Sequence, residues 1–186
     1  MTQHLNFNEV VLVNSKDEVI GTMEKMAAHQ SGELHRAFSV FIFNERGEML
    51  IQKRAATKYH SAGLWSNACC SHPTLAETVE DAAHRRLKEE LYLNAEAEFS
   101  FSFEYKAVFD NGLIENELDH VLVGFSNSRG SINREEVSAL KFIPVSELAT
   151  DMEINSEKYT EWFKIIVLNH WDKISTILEK RKLQIA

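Results

Sequence analysis

The chain has 186 residues, 44% of them apolar, and carries a formal charge of -8. That length buries one sizeable core and falls short of two typical domains, so residues 1–186 are expected to form a single domain. The negative charge argues against general nucleic-acid or anionic-membrane binding, because a phosphate polymer is repelled by the mean field; any phosphate contact must be a local basic pocket. No apolar run approaches about eighteen residues. The segment from Met1 to Asn6 also lacks the basic start and apolar stretch of a secretory signal, and a cytoplasmic protein is expected. The two cysteines, Cys69 and Cys70, are neighbours in sequence, a spacing that rarely forms a useful disulfide and suits a reducing compartment.

In chain order, Val10 to Val13, Val19 to Thr22 and Phe38 to Phe43 read as strands, the last joined through Asn44 to Gly47 to a strand at Met49 to Gln52. Thr78 to Leu91 carries Val79, Ala82, Ala83, Leu87 and Leu91 at helical spacing, which leaves Arg86 and Glu90 one turn apart on another face. Strands at Phe99 to Phe109 and Leu113 to Phe125 flank the turn signal Asp110-Asn-Gly112 and predict a second hairpin. Val137 to Ile143 reads as a strand stopped by Pro144, with a short helical turn from Val145 to Leu148. From about Asn155 to Lys180, Trp162, Phe163, Ile166, Val167, His170, Trp171, Ile174, Ile177 and Leu178 recur with helical period and predict one long amphipathic helix packed on the sheet.

Chemistry concentrates between Asn67 and Glu117, where a thiol, an imidazole, a carboxylate-rich helix and two strand carboxylates fall close together in sequence. Such a set suits metal-assisted acid/base chemistry on a phosphorylated substrate, and an enzyme is expected. The strand period of two points Glu115 and Glu117 to one face and Asn116 and Leu118 to the other. Two like charges so placed repel, and a cation relieves that cost. With His29, His35 and His72 they would form a mixed nitrogen and oxygen site suited to Mn2+, Fe2+ or Zn2+. Taken singly, each histidine reads as a surface or hydrogen-bonded residue and the Glu-x-Glu as a solvated strand face; the combination carries the ligand reading. His4, His60, His84, His120 and His170 are assigned structural roles.

Ser71, Glu77, Arg85, Arg86, Glu89 and Glu90 are spaced in a way that resembles the Nudix box, a loop-helix-loop that holds divalent cations against a diphosphate. Ser71 and Tyr92 stand where that motif has glycines, and Arg86 stands where it has a glutamate. Hydrolysis by that motif needs several helix carboxylates to bind Mg2+ and activate water; an arginine removes one anion and adds a cation, which disfavours it. Arg85, Arg86, Glu89 and Glu90 also fit an ordinary solvated helix face with i,i+4 pairs. A left-handed backbone is costly for Tyr92, so the loop after this helix is expected to be built differently.

Gly21-Thr-Met-Glu-Lys-Met-Ala-Ala-His29, His35-Arg-Ala-Phe-Ser, Leu64-Trp-Ser-Asn-Ala-Cys-Cys-Ser-His-Pro73 and Ile114-Glu-Asn-Glu117 resemble, in content and order, the motifs of type 1 isopentenyl-diphosphate Delta-isomerases. The resemblance runs from about Val10 to the C-terminal helix. It implies an α/β fold, a Nudix-like α/β/α sandwich with a mixed sheet and a long C-terminal helix, and the interconversion of isopentenyl and dimethylallyl diphosphate in isoprenoid precursor biosynthesis. It further implies that Cys70 and Glu117 are the acid/base pair, with Cys69 a bystander. His29, His35, His72, Glu115 and Glu117 would hold Mn2+ (or Zn2+ or Fe2+), and Glu90 a Mg2+ shared with the substrate diphosphate. Lys25, Arg54, Lys58 and Arg86 match the diphosphate-binding cations, Tyr105 a tyrosine hydrogen-bonded near Glu117, and Trp162 an aromatic over the reacting carbons. The expected partner is a small prenyl diphosphate, with no nucleic acid and no membrane, acting on a monomer or weak homodimer. Two other readings stand beside this one: a Nudix pyrophosphohydrolase, and a non-catalytic Nudix module that binds metal or nucleotide.

Overall fold

A computed structural model of the chain describes residues 6–185, so His4 lies outside the described residues. The elements in order are β1 (Glu9–Val13), β2 (Val19–Glu24), α1 (Lys25–Ser31), β3 (His35–Phe43), β4 (Glu48–Arg54), β5 (Trp65–Ser66), β6 (Cys69–Ser71), α2 (Val79–Leu91), β7 (Ala97–Val108), β8 (Ile114–Phe125), β9 (Val137–Pro144), α3 (Val145–Ile154), a 3-10 turn (Ser156–Lys158), α4 (Glu161–Asn169) and α5 (Trp171–Ile185). All nine strands belong to one mixed sheet. Among the described residues no helix is long and apolar enough to cross a membrane.

β3 is the centre of that sheet. One edge pairs with β8 in parallel along its whole length, from His35 opposite Glu117 to Phe43 opposite Phe125. The other edge is shared by three antiparallel partners: β1 at His35, β6 at Phe38 to Val40, and β4 at Ile42 and Phe43. Such a strand is covered on both faces, which explains why seven consecutive residues from Ala37 to Phe43 are buried rather than alternating with solvent-facing ones.

Each face has its own core. Phe38, Val40, Ile42, Cys69 and Leu122 meet Ala82, Ala83, Leu87 and Leu91 of α2. Phe41, Phe43, Val121 and Val123 meet Leu148 and Met152 of α3, Trp162, Phe163, Ile166 and Val167 of α4, and Ile174 of α5. The arrangement is the expected α/β/α sandwich.

Local chemistry explains the turns. Asn44 Oδ1 accepts from the backbone N–H groups of Arg46 and Glu48, and Gly47 takes φ +75°, which closes the connection from β3 to β4. Thr78 caps α2 through its hydroxyl, which accepts from the Asp81 N–H at 3.1 Å.

Three sequence expectations change. The stretch from Asn155 to Lys180 is a 3-10 turn and two helices, separated at His170 by φ -130° and ψ 13°. The apolar period reads through the break because residues on both sides of it, Phe163 and Ile166 before and Ile174 after, enter the same core. α3 continues well past Leu148, and α1, β5 and β6, too short to announce themselves by periodicity, are additional. Tyr92 does adopt the left-handed backbone, at φ 46° and ψ 32°, and its N–H caps the Leu87 and Lys88 carbonyls. The loop therefore keeps the turn a glycine would make, with the strain carried by a side chain that is 65% exposed.

Relieving that strain gives the first prediction. Tyr92→Gly should raise the unfolding free energy by about 1 kcal/mol, since a left-handed residue other than glycine costs roughly that much. Urea denaturation measures it, and a loss of stability would mean that contacts of the tyrosine ring outweigh the backbone cost.

Candidate functional site

Strand register assembles the site. Paired residues share a face, so His35 and Glu117, Ala37 and Asp119, and Ser39, Val121 and Cys70 project on the same side of β3. β7 adds Tyr105 opposite Glu117 and Ala107 opposite Glu115. The adjacent cysteines are separated by the same alternation: Cys69 enters the core under α2, while Cys70 faces the side carrying Glu117.

Four imidazoles crowd this face. His29 and His35 lie with ring centroids 4.9 Å apart, His35 and His72 at 5.0 Å, and His29 and His60 at 6.0 Å. His29 Nδ1 donates to the Lys25 carbonyl at 2.7 Å and His35 Nδ1 to the Glu33 carbonyl at 2.8 Å. A carbonyl only accepts, so in both rings the proton sits on Nδ1 and Nε2 presents a lone pair. Both Nε2 atoms are buried without a hydrogen-bond partner. Orphaned buried acceptors are costly, and a metal ion is the partner that two backbone-oriented imidazoles are built to hold.

The carboxylates complete the donor sets. His72 Nε2 lies 3.0 Å from Glu117 Oε1 and His60 Nε2 3.2 Å from Glu115 Oε1. The Tyr105 hydroxyl donates to Glu117 at 2.5 Å and lies 2.9 Å from a Glu115 oxygen. Among the described residues, two sets have ligand atoms within 4.8 Å of one another: His29, His35, His72 and Glu117, and His29, His60 and Glu115.

Burial and neighbours pull these groups apart in charge. Burial and the charge of Glu117 push Glu115 well above the carboxylate range. Burial acts on Glu117 in the same direction, yet the His72 ring 3.0 Å from its Oε1 opposes it, so that Glu117 is the more acidic of the two. Burial also lowers His72 to about 4 and His60 to about 3, so both are neutral imidazoles near pH 7. Cys70 is raised by burial to about 12 and stays a thiol.

Beside this cluster opens a cavity of about 270 Å³ lined by Lys25, Arg54, Lys58 and Arg86 together with Tyr59, Cys70 and His72. Burial and then the charges of Lys58 and Arg86 lower the pKa of Lys25, the signature of cations gathered around a space for an anion. Carboxylates hold Lys58 and Arg86 meanwhile. Glu136 pairs with Lys58 and with Arg86, and Arg86 also reaches Glu89 at 2.8 Å and Glu90 at 2.6 Å. Arg54 stands deeper, its Nη1 3.8 Å from Cys70 Sγ and its guanidinium 5.3 Å from the centre of the Trp162 ring.

The structure thus brings Cys70, Glu117, Tyr105, His29, His35, His72 and Glu115 to one face and gathers Lys25, Arg54, Lys58 and Arg86 around one cavity. Trp162 is buried behind Arg54, with its indole N–H donating to Ser66 Oγ at 3.0 Å and Asn67 Oδ1 at 3.1 Å. Glu90 joins neither donor set; its two oxygens take Arg86 and the Gln52 amide. His60, read from sequence as structural, stands inside the cluster, whereas His84 bonds Asn94 and His120 bonds Asp17, as structural histidines do. Glu136, Tyr59, Asn67 and Asp119 were not singled out by the sequence. Asp119 had a signal, since it lies two residues beyond Glu117 on the same strand face; the other three depend on loops whose course no periodicity reveals.

A strand-flanked helix bearing Arg85 and Glu90, preceded by Glu77 and lying beside histidines and glutamates that could hold a divalent ion, fits a recognised class: the NUDIX domain family matches residues 33–163. Solved structures agree in fold. The Deinococcus radiodurans protein DR0079 superposes with a TM-score of 0.70 at 18% identity, over 85% of this chain and 96% of its own. A MutT protein from Methanosarcina mazei superposes at 0.61 and 12% identity, over 76% and 95%. Sequence relatives are more specific. An isopentenyl-diphosphate Delta-isomerase from Pectobacterium atrosepticum is 48% identical over 84% of this chain and 88% of its own, and isopentenyl-diphosphate Delta-isomerase 1 from Aromatoleum aromaticum is 42% identical over 96% and 99%. The chain belongs to the isopentenyl-diphosphate Delta-isomerase family and is an enzyme of that isomerase type.

The cysteine geometry is directly testable. Iodoacetamide should label Cys70 slowly near neutral pH, the rate rising about tenfold per pH unit to at least pH ~9.5 because only the thiolate reacts, while Cys69 becomes reactive on unfolding. A plateau near pH 8 would place the Cys70 thiol in an ordinary environment.

Proposed function

We propose that the chain interconverts isopentenyl diphosphate and dimethylallyl diphosphate by protonating the alkene on one face and removing a proton on the other, with Cys70 and Glu117 as the two exchanging groups. The observation that carries this reading is their placement on one sheet face, on the two strands that flank β3, beside a cation-lined cavity of diphosphate size.

The chemistry asks for unlike partners. Protonation of an unactivated alkene generates a tertiary carbocation, so one group must hold a proton, another must be ready to receive one, and water must be kept away. Burial keeps Cys70 protonated, and the His72 imidazole and the Tyr105 hydroxyl favour ionised Glu117. Tyr105, bonded to both glutamates, positions Glu117 and is placed to pass its proton. The face of Trp162 already accommodates the Arg54 cation and would stabilise positive charge developing nearby, an interaction worth roughly 2 kcal/mol when desolvated.

Lys25, Arg54, Lys58 and Arg86 would bind the diphosphate. A divalent ion held by His29, His35, His72, Glu115 and Glu117, with Mn2+ proposed ahead of Zn2+ or Fe2+, would offset the repulsion between the two glutamates and tune the proton affinity of Glu117. A diphosphate pairs with Arg86 in the same bidentate way as a carboxylate and carries more charge, so substrate arrival would compete for Arg86 and free Glu90 toward a Mg2+ that travels with the diphosphate. Pyrophosphate hydrolysis fits less well: Glu89 and Glu90 are paired with arginines, and no donor set among the described residues includes an α2 carboxylate. The same reading makes this a single-domain cytoplasmic enzyme, a monomer or weak homodimer, without nucleic-acid or membrane partners, which the charge of -8 and two unpaired cysteines support.

Proton NMR of isopentenyl diphosphate with the enzyme, Mn2+ and Mg2+ in heavy water should show the second methyl signal of the dimethylallyl product and deuterium in the recovered five-carbon unit. Cys70→Ala and Glu117→Gln should each lower the rate by about 10²- to 10⁴-fold, while Cys69→Ala keeps most of it. Phosphate release without a shifted double bond would favour the hydrolase. Glu90→Gln should weaken the response to added Mg2+ with the His/Glu centre still loaded; an unaltered Mg2+ titration would remove Glu90 from substrate-metal binding.

A further inference from the structure

Asn67 is wholly buried where β5 leads into β6, and its amide is the point at which three elements of the fold meet. Its Nδ2 donates to the Val40 carbonyl of β3 at 3.1 Å and to the Cys69 carbonyl of β6 at 2.6 Å. Its Oδ1 accepts from the Trp162 indole N–H of α4 at 3.1 Å and from the Ser66 hydroxyl at 2.9 Å. This orientation is forced, because a carbonyl can only accept and an indole N–H can only donate. Ser66 has given its one proton to Asn67, so the Thr160 hydroxyl 3.1 Å away donates to Ser66 Oγ, which also accepts from Trp162 at 3.0 Å. Both donors and the acceptor of the Asn67 amide are thereby in use.

Cohesion alone does not ask for an amide here. Apolar side chains fill a core without desolvating polar atoms, and what a satisfied polar network adds is direction. Two directions are set. The Cys69 carbonyl belongs to the planar peptide unit that leads into Cys70, so fixing it fixes the backbone from which the thiol projects, and it braces a ladder of only three paired residues. The indole N–H fixes the rotation of the Trp162 ring. Both side chains then converge on Arg54, which stands 3.8 Å from the Cys70 sulfur and 5.3 Å from the centre of the indole. Asn67 itself does not line the cation cavity. Resting on the reading of Cys70 and Trp162 as groups that act on the alkene, we propose that Asn67 is a positioning residue whose single amide sets the thiol and the indole relative to one another.

Steady-state kinetics on the full chain with Mn2+ and Mg2+ test this. Asn67→Ala should lower kcat by roughly 10- to 100-fold, the cost of displacing a reacting group by about 1 Å, while KM for isopentenyl diphosphate and the calorimetric affinity for Mg2+-pyrophosphate stay nearly unchanged. Met49→Ala gauges weakened packing alone: Met49 is buried opposite Phe43, at the ends of β3 and β4 remote from His35 and Arg54, and its truncation destabilises the core without touching the network. A kcat loss no larger than that of Met49→Ala, or a change confined to KM, would overturn the proposal. Asn67→Ser is gentler on folding and should show the same split in milder form, so it decides the matter if the alanine variant does not fold. Combined with Trp162→Phe, Asn67→Ala should cost less than the product of the two separate losses, because both act on the same ring; a full product would refute action through the indole. If Cys70→Ala and Trp162→Phe turn over as the wild type does, the acid/base reading fails and the role of Asn67 falls with it. If they are impaired while Asn67→Ala is not, Asn67 alone is excluded.

Discussion

The parallel, in-register pairing of β3 with β8 is the constraint on which the site depends. It sets His35 opposite Glu117 and Ala37 opposite Asp119, and it leaves the second edge of β3 free to receive β6 with Cys70 opposite Ser39. A slip of one residue would turn every one of these side chains to the α2 face and exchange Cys70 for Cys69. The register is secured by apolar residues further along the same strands, where Phe41, Phe43, Val121 and Val123 fill the core under α3, α4 and α5. Packing at one end of the strand pair therefore holds the chemistry at the other.

That register forces carboxyl groups into the interior, and the surrounding side chains answer the cost. Ser39 donates to Asp119 at 2.8 Å, Tyr105 donates to Glu117 and touches Glu115, and burial with the Glu117 charge keeps Asp119 well above its ordinary pKa. The charge of the group is thus concentrated on Glu117, the member that faces two imidazoles. Charge separation on this scale is more useful to proton transfer than to stability, since a buried ionised group is rarely a net gain over an apolar one.

A chain of net charge -8 still builds a cationic cavity, because local placement, not mean charge, decides what binds there. Lys25 starts α1, Arg54 ends β4, Lys58 follows in the loop and Arg86 projects from α2. Glu89, Glu90 and Glu136 occupy Arg86 and Lys58 in the way a phosphate would. Glu136 arrives on a loop fixed to the end of α2, where Ser131 N–H bonds the Leu91 carbonyl and Asn133 N–H the Glu90 carbonyl, both at 2.8 Å. Gly130 permits that approach; with φ +70°, any Cβ there would lie 2.2 Å from the Leu91 oxygen.

Much of this was legible in the residues themselves. An apolar and aromatic run announced β3, the Asp110-Asn-Gly112 turn announced β8, alternation gave the shared face of Glu115 and Glu117, helical spacing announced α2, and the ordered motifs around His29, His35, Cys70, His72 and Glu117 pointed to the family, because local periodicity and residue chemistry are written in consecutive positions. The break at His170 was hidden since α4 and α5 bury their apolar residues in the same core, and the left-handed Tyr92 was hidden since the strain of one residue is outweighed by two capped carbonyls. The engagement of Glu90 by Gln52, the arrival of Glu136 among the cations and the entry of His60 beside Glu115 were decided by tertiary structure alone. Each joins residues 38 to 78 positions apart in sequence, and such meetings are fixed by packing of the whole sheet rather than by any pattern within a segment.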